Sequence, residues 1–195
     1  MTVSTMLSLL SEGFVTSLLI FALTLLFSMP LGLAVMFGRR SRLTPLRGFI
    51  KAYISIMRGT PLMLQLMVVF YGPKLLLGVT VPGNWRFTAV IVAFVINYAA
   101  YFAEIYRGGI ESILPQMVKR VIPAVTNEVI TLVKDTSLAS VIGTVEMFTR
   151  AKQIVASPNT PGMLALVAAG VFYYVFNYVI AFAMEKWEQA LRYYR

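Results

Sequence analysis

Long apolar runs alternate along the chain with short segments rich in arginine, lysine, glycine or proline. A helix needs about 20 residues to cross roughly 30 Å of hydrocarbon, and five runs reach that length. The pattern predicts membrane-spanning helices over residues 13–38, 49–72, 87–106, 124–149 and 163–187. We therefore predict an all-α, polytopic membrane protein with five transmembrane helices, formed by a single transmembrane domain over residues 1–195.

The second apolar run is interrupted by Arg58, Gly59, Thr60 and Pro61. Proline lacks a backbone donor and disfavours helix at the residue before it. We therefore expect a short helix, a bend, and a second transmembrane helix that starts at Leu62. Irregular backbone within a membrane is tolerated only inside protein or beside water, so the bend is a candidate for a pathway or gating element. The alternative is that the bend is only structural.

Two of the apolar segments carry a stripe of polar residues on one helical face, since residues three, four or seven apart share a face. An ionisable side chain at mid-membrane costs about 2.5–3.5 kcal/mol on insertion scales, so such residues must face protein or water. We predict that they line a pathway for a polar solute. The alternatives are ion pairs near the inner surface for the carboxylates and interhelical hydrogen bonds for the others. The residues concerned are Asn97, Tyr98, Tyr101, Glu104, Glu128, Thr131 and Asp135.

Composition supports the membrane interpretation. The chain is 58% hydrophobic and 13% charged, against about 45–50% apolar residues in soluble proteins. It contains no cysteine and no histidine, which excludes disulfides and thiolate metal sites and removes the commonest general base. The Gly108-Gly109 pair lacks the lysine and hydroxyl residue of a nucleotide-binding loop. We therefore expect no enzyme activity and no cofactor, and any ATP hydrolysis must come from a partner.

The net charge of +9 follows from topology. Five cations lie between Arg39 and Lys51, and none lies in residues 1–12, so the positive-inside rule predicts an external N-terminus and a cytoplasmic C-terminus. The cations thus need no nucleic acid partner. We also expect no cleavable signal peptide, because residues 1–12 lack a basic start and a small-residue cleavage site.

Several motifs, taken in chain order, closely resemble permease subunits of bacterial ABC importers for polar amino acids. They are Arg58-Gly-Thr-Pro-Leu62 with Gln65, the segment 97–112, Leu114-Pro-Gln116, Asn127-Glu128 and the segment 134–143. The resemblance covers most of the chain. It implies a five-helix permease core in the bacterial inner membrane and a polar amino acid as substrate. It also implies three kinds of partner: an identical or homologous permease, two cytoplasmic ATP-binding subunits, and an extracytoplasmic solute-binding protein.

The chain departs from that family between Ile113 and Leu114, where the family has a longer cytoplasmic loop with a Glu-Ala-Ala signature that docks into the ATPase. Either the loop is deleted, or the sequence omits a segment of the parent protein. Ser55 also stands where the family often has glutamate, which weakens an expectation of a cationic amino acid as substrate. The resemblance implies that the remaining turn faces the ATPase through Arg107, Gly108, Gly109, Glu111, Lys119 and Arg120.

Two other functions remain open. A non-transporting membrane scaffold, or an uncoupled permease remnant, would keep the helices without ATPase docking. An autonomous channel or secondary carrier is disfavoured, because the sequence shows no inverted repeat and five spans offer little for alternating access.

Overall fold

A computed structural model of the chain describes residues 2–110, 114–157, 160 and 162–191, and it describes only the backbone of 114–120 and Leu191. This part of the chain forms helices and contains no β-strand, which confirms the predicted all-α fold. The helices are α1 (Val3–Arg39), α2 (Thr44–Gly59), α3 (Leu62–Leu77), α4 (Trp85–Ile110), α5 (Leu114–Asp135), α6 (Met147–Ala156) and α7 (Gly162–Leu191), with a 3-10 segment (Thr136–Ile142) between α5 and α6.

The helices α1, α4 and α7 are each long and apolar enough to cross a membrane. The pair α2 and α3 passes the same test as one broken span, bent by 112°. Within the described residues this gives three spans, or four if the bent pair counts as one. The break confirms the predicted bend, because α2 ends at Gly59 and α3 begins at Leu62.

The prediction of a single helix over residues 124–149 is wrong. In its place the structure has the end of α5, the 3-10 segment and the start of α6. The hydroxyls of Thr136 and Ser137 donate to backbone carbonyls three residues earlier, at 2.8 and 2.7 Å, and such bonds compete with the regular helix ladder. Gly143 then adopts a left-handed conformation with φ of 72°, which ends the 3-10 segment.

The helices α1 and α4 form the most extensive helix pair and the centre of the bundle. Small residues let them approach closely, since a β-carbon added to Gly32 of α1 would lie 2.7 Å from Cβ of Phe102 of α4. The main core continues outward from this pair through the fully buried Phe94 and Leu132. Removing apolar side chains from water contributes about 25 cal/mol per Å² in a soluble core, whereas packing between lipid-exposed helices depends more on this close fit.

Two smaller clusters lie at opposite ends of α1. Near its C-terminus, Met36 packs against Ile50 and Ile54 of α2 and against Ala103 near the end of α4. Near its N-terminus, Leu10 packs with residues of α6 and α7. The bundle therefore has two distinct ends. The break between α2 and α3 lies at the end that contains Met36.

Candidate functional site

A polar cavity of about 290 Å³ lies where the break between α2 and α3 meets α4 and α5. The break contributes Thr60, Pro61 and Leu62. The structure gathers at this one place six of the seven polar-stripe residues and two of the four bend residues. Their part in transport stays a prediction. The stripe residues that line the cavity are Asn97, Tyr98, Tyr101, Glu128, Thr131 and Asp135.

The break is held by two side-chain amides. The last carbonyls of a helix have no partner within that helix. Here Gln65 Nε2 donates to the carbonyls of Met57 and Thr60, at 2.9 and 3.1 Å. Asn97 Nδ2 donates to Met57 O at 3.2 Å and to Gln65 Oε1 at 2.9 Å. Asn97 is buried, so it positions the break from α4, and Gln65 is a member of this network that the polar-stripe argument did not find.

The described lining of the cavity includes the carboxylates of Glu128 and Asp135. The Tyr98 hydroxyl donates to Asp135 Oδ2 at 2.8 Å and so ties the middle of α4 to the end of α5. Glu128 makes no ion pair with any described residue, and Thr131 is exposed to the cavity. No lysine or arginine is among the described residues of the lining. The guanidinium of Arg58 lies at the edge, 5.6 Å from the ring centroid of Tyr101. Such a wall can accept hydrogen bonds from an ammonium group.

Glu104, the seventh residue of the stripe, does not line this cavity. It lies nearly two turns beyond Asn97 on α4, level with the ends of α1 and α2, and its carboxylate pairs there with three arginines. Arg39 of α1 forms the closest of these pairs, Arg58 lies at 3.5 Å and Arg107 at 3.1 Å. The helical periodicity placed Glu104 correctly on a face, but the neighbouring helices along that face change from one end to the other.

A second cavity, of about 550 Å³, lies beside this arginine cluster. It includes the bend residues Arg58 and Gly59 together with Arg39, Lys51, Ile54, Ser55 and Glu104. Of the turn predicted to face an ATPase, Arg107 pairs with Glu104, Gly109 is buried, and the position of a β-carbon on Gly108 is open. Glu111 and the side chains of Lys119 and Arg120 lie outside the described residues.

A fourth carboxylate, that of Glu146, was missed by the sequence analysis. It is fully buried and begins α6, where it accepts hydrogen bonds from the backbone N–H groups of Phe148 and Thr149 at 2.7 and 2.6 Å. The hydroxyls of Thr149, Tyr173 and Ser17 also donate to it, at 2.8, 3.0 and 3.4 Å. The local signal was Gly143, because a glycine commonly ends a helix, but it lay inside a run interpreted as continuous helix.

Among the described residues, no group of three or more aspartate, glutamate, histidine or cysteine residues is placed to hold a metal ion.

No protein-family model matches the chain. Individual relatives do. The arginine transport system permease protein ArtQ of Bacillus subtilis (strain 168) is 33% identical over 205 aligned positions, which cover 93% of this chain and 91% of ArtQ. The L-cystine transport system permease protein TcyB of the same organism is 31% identical and covers 93% of this chain and 86% of TcyB. The putative glutamine transport system permease protein GlnP of Rickettsia bellii (strain RML369-C) is 28% identical over 92% of this chain and 91% of GlnP.

Two solved structures share the fold. The crystal structure described as an amino acid ABC transporter with histidines superposes with a TM-score of 0.86 and 25% identity, over 97% of this chain and 100% of that one. An inward-facing form of the MetNI methionine ABC transporter superposes with a TM-score of 0.69 and 16% identity, over 98% and 99% of the two chains. The second likeness concerns the fold alone.

Proposed function

Because this chain belongs to the family of amino acid ABC transport permeases, we propose that its polar cavity is part of the pathway by which a polar amino acid crosses the membrane. The chain is a multi-pass membrane protein, and permeases of this kind work with ATP-binding and solute-binding partners. The observation that carries the proposal is the convergence of the broken helix pair, α4 and α5 on one cavity with two carboxylates.

The cavity suits both charged groups of an amino acid. Its volume of about 290 Å³ lies near the lower end of ligand pockets, which matches a small solute. Glu128 and Asp135 offer acceptors to the ammonium group. The N-terminus of α3 has no side-chain cap, so its backbone N–H groups and helix dipole favour the carboxylate. In other transporters, the ends of broken helices bind charged groups of the substrate in this way.

The assembly we propose has four kinds of component besides the substrate. The chain, as one transmembrane domain over residues 1–195, pairs with a second permease that is identical or homologous. Two cytoplasmic ATP-binding subunits and an extracytoplasmic solute-binding protein complete it. The N-terminus lies outside the bacterial inner membrane and the C-terminus lies in the cytoplasm. The excess of cations in residues 39–51 supports this orientation. As a non-catalytic subunit, the chain leaves ATP hydrolysis to its partners.

We also propose that the loop through which ATP hydrolysis drives such permeases is missing between Ile113 and Leu114. The alignment with ArtQ has 205 positions but uses 93% of 195 residues, about 181, so about 24 positions hold no residue of this chain. The alignment with TcyB leaves about 25 positions without one. In the structure α4 ends at Ile110 and α5 begins at Leu114, which leaves three residues between them.

Reactivity of an introduced cysteine tests the pathway directly, because the sequence contains no native cysteine. Thr131→Cys places a thiol on the cavity wall and outside every described hydrogen bond. In membrane vesicles we expect a charged, water-soluble thiol reagent to modify it, and a transported amino acid to slow the reaction. Val68→Cys, on the exposed apolar surface of α3, is the matched control and should stay unmodified. Equal reactivity of the two thiols would contradict a water-filled cavity.

Reconstitution tests the coupling proposal separately. Reconstituted with its ATP-binding and solute-binding partners, the 195-residue chain should show no ATP hydrolysis that is stimulated by an amino acid. Insertion of the corresponding loop of a relative between Ile113 and Leu114 should restore it. A shift of a permease between its conformations needs a contact whose free energy differs between them, and the loop supplies that contact. Coupled hydrolysis by the 195-residue chain would refute the proposal.

A further inference from the structure

The cavity beside Glu104 has more positive charge than its ion pairs neutralise. Among the described residues of its lining, the cations are Arg39, Lys51 and Arg58, and the carboxylate is that of Glu104. We infer that this cavity binds the phosphate headgroup of an anionic phospholipid, at a site distinct from the polar cavity although Arg58 lies between the two.

The cations of α2 lie along one side of that helix. At about 100° per residue, Arg47, Lys51 and Arg58 fall within roughly 40° of one another. Phe49 and Ile56 lie on another side and are exposed, at 72% and 55%. A helix with one basic side and one exposed apolar side is typical of segments that lie in the membrane–water interface.

The direction of α2 agrees with that location. It meets α3 at a bend of 112°, so it lies across a bundle whose longest helices cross the membrane. Its inward side packs through Ile50 and Ile54 against the ends of α1 and α4. The basic cavity therefore opens between an interfacial helix and the ends of two membrane-spanning helices. Basic pockets between helices at that depth bind lipid headgroups.

Topology alone does not account for the cavity. The positive-inside rule is satisfied by cations anywhere in a short loop, and Arg40 and Arg42 satisfy it without lining this cavity. Lys51 makes no ion pair with a described residue, so its charge is available to a ligand. The exposed side chains of Phe37 and Phe49, from two of the helices that border the cavity, favour a lipid over a free phosphate, because they offer contact to acyl chains.

Native mass spectrometry of the delipidated 195-residue chain in a nonionic detergent tests the site. Phosphatidylglycerol, phosphatidylcholine and inorganic phosphate are titrated in parallel. We expect phosphatidylglycerol to bind at concentrations at which the other two do not. Lys51→Gln should weaken this binding about fivefold, which corresponds to about 1 kcal/mol for one basic residue near a lipid surface. Arg42→Gln, an exposed cation outside the cavity, should leave it unchanged.

Two more variants make the result decisive. Arg58→Gln should weaken phosphatidylglycerol binding as Lys51→Gln does, whereas Glu104→Gln, which removes the carboxylate of the described lining, should strengthen it. Circular dichroism checks that each variant keeps its helices. Equal losses for the Lys51 and Arg42 variants would mean diffuse surface charge and overturn the site. Binding of phosphate or phosphatidylcholine as tight as that of phosphatidylglycerol would overturn its assignment to an anionic lipid.

Discussion

The two ends of the bundle hold a carboxylate by opposite means. At the Glu104 end, formed by α2 and the C-termini of α1 and α4, Glu104 lies among three arginines. At the Glu146 end, formed by the N-termini of α1, α6 and α7, Glu146 accepts five hydrogen bonds from uncharged donors. Charge pairs act over several ångströms and tolerate movement, whereas hydrogen bonds to backbone N–H groups require one geometry. The difference leads us to expect a fixed shape at the Glu146 end and more tolerance of movement at the Glu104 end.

The space around one glycine at each end also differs. A β-carbon added to Gly13, at the Glu146 end, would lie 2.7 Å from the backbone of Met147. One added to Gly59, at the Glu104 end, would meet nothing within 4 Å. The contact between α1 and α6 at Gly13 is thus tight, whereas the space beside Gly59 at the break is open.

Loss of the buried carboxylate should produce the largest effect on stability. Glu146→Ala leaves the N–H groups of Phe148 and Thr149 buried without acceptors, so we expect a loss of about 3 kcal/mol or more. Thermal unfolding in detergent measures it. Glu12→Ala, at the same end, removes an exposed carboxylate paired with Arg150 and should change stability by less than about 1 kcal/mol. Equal losses of stability from the two substitutions would contradict the distinction between the buried and the exposed carboxylate.

Adding a methyl group to each glycine should give an intermediate effect. Gly13→Ala forces α1 away from α6, and overpacking of this kind costs about 1–3 kcal/mol. Gly59→Ala enters open space and should change stability by less than about 0.5 kcal/mol. The unfolding assay compares the two directly. A Gly59 variant as unstable as the Gly13 variant would show that both ends are close-packed.

The smallest effect is expected for Glu104→Gln, and its response to salt should identify its origin. Two of its three arginine partners are about a third or more exposed, so solvent screens the pairs and the expected loss is about 1 kcal/mol. That loss should shrink between about 0.1 M and 1 M salt as the screening length falls from about 10 to 3 Å. The loss from Glu146→Ala should not shrink, because its donors are neutral. A salt-independent effect at Glu104 would contradict the electrostatic account.

Features governed by neighbours in the sequence were predictable. The break at Gly59 and Leu62 follows from Pro61, and the polar faces of α4 and α5 follow from helical periodicity. The continuous fourth helix was a wrong prediction because hydroxyl side chains and one left-handed glycine outweigh apolar content there.

Features governed by distant residues were not predictable in the same way. Glu146 depends on Ser17 and Tyr173, more than one hundred and more than twenty residues away in the chain, and no local pattern relates the three. For Glu104 the alternative of ion pairs is confirmed, since Arg107, three residues away on the same helix, is one partner. Its pairs with Arg39 and Arg58 depend on the ends of α1 and α2, which no local pattern relates to it.

The side-chain amides of Gln65 and Asn97 stiffen the corner between α2 and α3. Each spans the corner, and Asn97 also belongs to the middle of α4. A corner fastened on both sides resists opening, so we expect α2 and α3 to move together. On α4, Asn97 lies one residue from Tyr98, whose hydroxyl donates to Asp135. We therefore expect a displacement of α2 to shift the wall of the polar cavity.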